Sequence, residues 1–189
     1  MRVASTGPCR ILLAALLATI IPAAVAGDGR AFERVFPNEY RDILRRAALA
    51  YDAKRYDEAF ALFQRGACAG DKQSQSVLGR MYLLGQGVAR DEVIGYAWLK
   101  VAAEKIFPGY QKIVRQLEEA MKPEQRKLAD AEAAAKIREY GLAASGMSCQ
   151  THASRGGHIV DEIFCTPRRE ADGLLLKRCV AADRPLQAP

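Results

Sequence analysis

The stretch from Leu78 to Ala103 constrains this chain most. An apolar run with helical spacing ends at Gly85, the segment Gly85-Gln86-Gly87-Val88 follows, and Asp91 stands just ahead of a second helical run carrying Trp98, Ala102 and Ala103. Glycine adopts the positive backbone angles of a helix end and a tight turn without steric penalty. An aspartate before an apolar-periodic run supplies the oxygen that the first unpaired helix amides need. Two helices joined by so short a link pack antiparallel. Gly79 takes a side chain away from the packed face of the first helix and lets its partner come close, while Tyr82 and Trp98 supply the bulk of a hairpin interior.

The pattern recurs along the chain. A shift of 36 residues brings Ala59 onto Gly95, Leu62 onto Trp98, Gly66 onto Ala102 and Ala67 onto Ala103, so small and large residues fall on matching positions. That period lies in the range of helical solenoids. Apolar residues at three-and-four spacing predict helices over 38–51, 56–69, 71–84, 92–106, 109–121 and 123–140. The third pair departs from the register: Val114 matches Leu78, but Arg115 occupies the position of Gly79, and Met121 and Pro123 replace the two turn glycines. A terminal unit has to show a polar outer face, because nothing stacks on it. The fold expected is all-α, a short α/α solenoid of about three antiparallel helical hairpins with a small cysteine-containing C-terminal extension.

Residues 71–106 resemble a Sel-one-like repeat, the bacterial relative of the tetratricopeptide repeat, through Leu78, Gly79, Tyr82, Gly85, Gly87, Val88, Asp91, Trp98, Ala102 and Ala103. Residues 47–71 resemble the looser tetratricopeptide form. The resemblance implies a scaffold that binds other proteins, with the first helix of each hairpin lining the concave side. It implies no catalytic residues and no cofactor.

Residues 1–26 have the three parts of a secretory signal: Arg2 and Arg10 in front, an apolar core from Ile11 to Ile21, and small residues in Ala24-Val25-Ala26, with cleavage expected before Gly27. The apolar core is too short to span a bilayer, so no stable membrane anchor is expected after processing, and the destination is the periplasm or the exterior. The leader holds two arginines and no acid; its removal takes the 28 basic residues to 26 against 22 acidic ones, a net charge of +4. Those charges are interspersed, whereas a nucleic-acid binder concentrates its cations in a stripe. The chain therefore divides into the leader, an arm over 27–37, the repeat domain over 38–141 and a cysteine-rich tail over 142–189.

Export makes disulfides the first reading of Cys68, Cys149, Cys165 and Cys179. In the tail, 158–165 and 174–180 are β-prone segments that can pair across a turn containing Pro167 and Asp172-Gly173. Joining Cys165 to Cys179 closes a loop that stabilises by about 3 kcal/mol in the chain-entropy model. That is the favoured bond, leaving Cys149 free or bonded to Cys68; Cys68 is equally suited to be a small buried core residue. The rival reading of the tail is chemical: Cys149, His152, His158 and Cys165 offer four donors of the kind zinc prefers. The Gly-x-Gly pair follows a helix instead of a strand, which argues against a phosphate loop, and no Cys-x-x-Cys is present to tune a redox thiol.

With Leu78 and Tyr82 directed inward, helical geometry turns Gln73, Ser76, Arg80 and Leu83 outward as the candidate partner-binding face. The function expected is a non-enzymatic, exported protein–protein interaction module. The alternative is a helical scaffold carrying a zinc-binding or thiol-active tail.

Overall fold

The computed structural model describes residues 31–104, 108–152 and 162–180. The leader, its cleavage point and His158 lie outside the described residues. The elements run β1 (Phe32–Val35), α1 (Pro37–Asp52), α2 (Tyr56–Cys68), α3 (Lys72–Leu84), α4 (Glu92–Ala102), α5 (Pro108–Ala120), α6 (Pro123–Tyr140), the single turn α7 (Leu142–Ser145), β2 (Ser148–His152), β3 (Glu162–Thr166), β4 (Arg168–Glu170) and β5 (Gly173–Lys177). The expected helical solenoid with a cysteine-containing extension is what the chain forms.

Local chemistry explains the helix boundaries. Pro37 and Pro123 open α1 and α6 at positions where a missing amide costs nothing. Asp71 caps α3, accepting from the Ser74 amide at 2.7 Å, and Asp91 caps α4, accepting from the Ile94 amide at 2.8 Å. Gly85 ends α3 at φ +68°, and Gly87 repeats that left-handed angle in the turn. Within α1, Tyr40, Ile43, Ala47 and Ala50 are buried at alternating spacings of three and four, and Ala47 and Ala50 join Ala59, Phe60, Phe63 and Ala67 of α2 in the main apolar core.

The helix pairs stack in sequence order, with α2 against α3 and α3 against α4. Between α3 and α4 the backbones nearly touch: a Cβ on Gly79 would lie 2.8 Å from the Gly95 carbonyl oxygen, and one on Gly95 would lie 2.9 Å from that of Gly79. The third pair is splayed. Both α5 and α6 pack against α4, and α4 is the element through which they mainly meet. Tyr96, Ala97 and Leu99 of α4 join Val114 of α5 to Ala129 and Ala133 of α6 in one apolar cluster.

The first and last described strands cover the first hairpin. The arm holds a strand that the sequence pattern did not reveal: β1 pairs antiparallel with β5, Val35 opposite Leu174 and Phe32 opposite Lys177, in a sheet of order β1-β5-β4. Leu174 and Leu176 alternate inward along β5 and pack with Val35, Tyr40, Ile43 and Ala69. The expected pairing of 158–165 with 174–180 does not form. Instead β5 folds back on β4 through a tight turn at Ala171-Asp172, and β3 pairs with β2. The expected turn containing Pro167 and Asp172-Gly173 is shorter than the sequence suggested: Pro167 precedes β4, Gly173 opens β5, and β4 is the partner strand, as a hairpin closes most readily over the fewest residues.

Candidate functional site

The repeat residues are structural. Leu78, Ala102 and Trp98 are fully buried or nearly so. Trp98 stacks on Tyr140 of α6 with ring centroids 5.2 Å apart, and the Lys136 ammonium lies 5.0 Å over the indole. Tyr82 is half-buried and meets Phe60 of α2 edge-on at 5.4 Å, so it fastens two hairpins together instead of filling one. Ala103 is partly exposed and lines a surface groove described below.

The four residues expected on one outward face separate. Gln73 and Arg80, two turns apart, are exposed, but Ser76 is buried and Leu83 packs over Gly95, its Cδ2 2.9 Å from where a Cβ on that glycine would stand. The physical reason is that α3 lies between α2 and α4, so nearly everything from Ser74 to Gly79 is covered and only a narrow strip remains open.

Polar residues that sequence reasoning passed over form a buried clasp at one end of the stack. Gln75, fully buried, donates to the carbonyl oxygens of Ala67 at 2.9 Å and Tyr140 at 3.0 Å, joining the ends of α2 and α6. Lys72, 2% exposed, donates to the Gln75 Oε1 and the Val101 carbonyl, both at 2.9 Å, and to the Glu104 carboxylate. Glu104 also accepts from the Leu142 amide at 3.0 Å. Burial pulls the Lys72 ammonium below the ordinary lysine value, and the Glu104 carboxylate opposes that pull. One signal was available: Gln75 sits three residues before Leu78 on the inward stripe, where a polar side chain has to find partners.

A second polar cluster joins α4 to the splayed pair. The Tyr96 hydroxyl lies 2.9 Å from a Glu118 oxygen and 2.7 Å from an Asp130 oxygen. Glu118 also accepts from Lys100 and pairs with Arg126 at 3.3 Å. The Lys100 hydrogen bond is the main cause that holds the Glu118 carboxyl below its usual value. Burial and the two carboxylates push the Tyr96 hydroxyl well above the ordinary tyrosine value.

The cysteines pair differently from the expected Cys165 with Cys179. Cys68 bonds Cys179, and Cys149 bonds Cys165. In the β2–β3 ladder Cys149 lies directly opposite Cys165. From Lys177 the chain continues past β1 to the end of α2, where Cys179 reaches Cys68 within the main apolar core. There the Val180 amide donates to the Tyr140 hydroxyl at 2.9 Å. These bonds also overturn the zinc and thiol readings of the tail: Cys149 and Cys165 hold each other and have no thiolate to offer a metal. His152 lies in β2, and among the described residues no group of three or more histidine, cysteine, aspartate or glutamate side chains is placed to hold a metal ion.

Between α5 and α6, floored by α4, lies a groove of about 420 Å³ lined by Lys100, Ala103, Glu104, Gln111, Val114, Arg115, Glu118 and Ile137. Its residues were not singled out from the sequence as a site, although the Arg115 departure from the repeat marks the place.

No family model matches the chain, and no curated protein does. Among solved structures the chain is similar to a protective antigen present in uropathogenic Escherichia coli strains and described as displaying an SLR fold, with a TM-score of 0.44 and 23% identity. The match covers 55% of this chain and 23% of that one, so the chain spans less than a quarter of that neighbour's length. The class defined by the structure is a short helical solenoid, closed at its first hairpin by a β-sheet and secured by two disulfides. The Sel-one-like resemblance rests on the residues of 71–106 themselves.

Proposed function

We propose that this chain is a non-enzymatic, exported protein–protein interaction module of the cell envelope, an adaptor or scaffold whose helical stack presents its outer surfaces to a partner protein. The observation that carries this reading is the use to which the buried polar groups are put. Lys72, Gln75 and Glu104 tie the ends of four helices together, and Tyr96, Glu118, Lys100 and Asp130 tie α4 to the last pair. Side chains that could do chemistry serve as fasteners, and a rigid helical frame with free outer faces is the kind of surface on which partners dock. Two disulfides agree with an oxidising compartment, and no helix among the described residues is long and apolar enough to cross a membrane.

Site-specific photo-crosslinking tests the proposal. A photoreactive residue placed in turn at Gln73, Arg80, Arg115 and Leu128, in protein expressed in its own host, should yield at least one discrete adduct with another envelope protein. N-terminal sequencing of the mature chain should begin at Gly27. Absence of adducts from every solenoid position, with the protein present in the envelope fraction, refutes the interaction reading, and recovery of the protein with Met1 in the cytosol refutes export.

A further inference from the structure

Position 115 is the 36-residue counterpart of Gly79. At Gly79 the absence of a side chain lets α4 come in until the two backbones almost touch. At position 115, by contrast, α5 carries an exposed arginine, and α5 and α6 meet mainly through α4, with the groove between them lined down to Lys100 and Ala103. The guanidinium stands at the edge of that groove.

The charges around the groove are unequally committed. Glu118 is held by Lys100, by the Tyr96 hydroxyl and by Arg126, and Glu104 is held by Lys72 and the Leu142 amide. Arg115 is exposed and, among the described residues, no acid neutralises it. Against this free cation the groove sets apolar surface from Ala103, Val114 and Ile137. Such a trough attracts a ligand that is apolar at one point and anionic beside it. Its opening to solvent is unlike the enclosure that retains a small molecule, which usually loses most of its surface to its pocket; an extended peptide gains further contacts along the helices.

We propose that the α5/α6 groove receives an extended segment of a partner protein, seating one apolar side chain against Ala103, Val114 and Ile137 and setting an adjacent carboxylate on Arg115. The inference rests on the interaction-module reading and names the chemistry of the partner. A guanidinium presents a fork of donors that a carboxylate matches with two parallel bonds, which a carboxamide cannot equal.

The test uses the full mature protein, methyl-labelled for NMR, and three acetylated and amidated octapeptides in a Gly-Ser background, centred on Leu-Glu, Leu-Gln or Ala-Glu. The Leu-Glu peptide should shift the Val114 and Ile137 methyl signals in a saturable way. The other two should each bind at least about fivefold more weakly, one lacking the charge-assisted bond and the other the apolar anchor. Arg115→Gln, at an exposed position, should keep the melting temperature and erase the preference for Glu over Gln. Absence of methyl shifts, equal binding of the three peptides, or survival of the preference in Arg115→Gln overturns the groove. An adduct at Arg80 without methyl shifts overturns the groove and leaves the interaction reading standing; absence of adducts at every position overturns the interaction reading itself.

Discussion

Replacing Gly79 by alanine is the sharpest probe of the repeat geometry, because two large effects oppose each other and the structure says which wins. In a helix interior, glycine to alanine gains about 1 kcal/mol from backbone propensity. At Gly79 the new Cβ would stand 2.8 Å from the Gly95 carbonyl oxygen and 2.8 Å from Leu99 Cγ, against a comfortable separation of about 3.5 Å. The leucine can turn aside, but the carbonyl belongs to the backbone of α4, so relief requires moving one helix off the other. Overpacking of that kind costs about 1–3 kcal/mol, and more where backbone must shift. The net expectation is a loss of about 1–2 kcal/mol, or about 3–6 °C in melting temperature for a chain of this size. Gly109 is the control: it lies in the first turn of α5 with nothing within 4 Å of an added Cβ, so Gly109→Ala should be neutral or stabilise by up to about 1 kcal/mol. Urea unfolding with the disulfides intact gives both values. Gly95→Ala should match Gly79→Ala, and the double variant should cost less than the two together, since helices already separated have room for the second methyl. A Gly79→Ala protein as stable as the wild type, or one no weaker than Gly109→Ala, refutes the claim that this contact sets the spacing of the hairpin.

The disulfides should rank by the loops they close. Removing Cys68–Cys179, 111 residues apart, by a double alanine substitution should cost about 4–5 kcal/mol against about 3 kcal/mol for Cys149–Cys165, 16 residues apart, read by urea midpoints; the opposite order refutes the ranking. Glu104→Gln leaves the Lys72 ammonium buried without its counter-ion and should cost about 3–5 kcal/mol, whereas adding Lys72→Met to it should recover part of the loss; a double variant weaker than Glu104→Gln alone would contradict that account. Glu118 has its carboxyl held below the ordinary 4.5 by Lys100, so its stabilisation is complete above that pH and is lost as pH falls through the lower folded value. Glu118→Gln should therefore flatten the acid side of the stability profile below pH 4.5, and an unchanged slope would show that the Lys100 bond is not coupled to folding.

The α3–α4 hairpin was legible because its instructions are local. A capping aspartate, a turn glycine and a glycine at the helix interface each act on neighbours within a few residues, or on the partner helix that the turn delivers. The sheet was not legible for the opposite reason. Phe32–Val35 is too short to show a period, and its partner lies at the far end of the chain, so only the folded path reveals that arm and tail make one element. Cysteine pairing failed similarly. Loop length favoured Cys165 with Cys179, but strand register fixed Cys149 opposite Cys165, and the run past β1 carried Cys179 to Cys68. Lys72 and Gln75 belong to no motif and were not singled out, although their buried positions in α3 demanded the partners they found.

Repeat patterns specify geometry, so the positions that obey the pattern explain the stack and those that break it carry what is particular to this chain. Gly79 and Trp98 could serve in any hairpin of this kind; Arg115 could not. Where the register calls for glycine, α5 carries an exposed arginine at the edge of the groove that α5 and α6 leave over α4. A simple end cap needs only a polar outer face. Here the cation shares the groove with apolar surface from Val114 and Ile137 while the acids Glu104 and Glu118 are already engaged, which is the combination that the proposed peptide site requires.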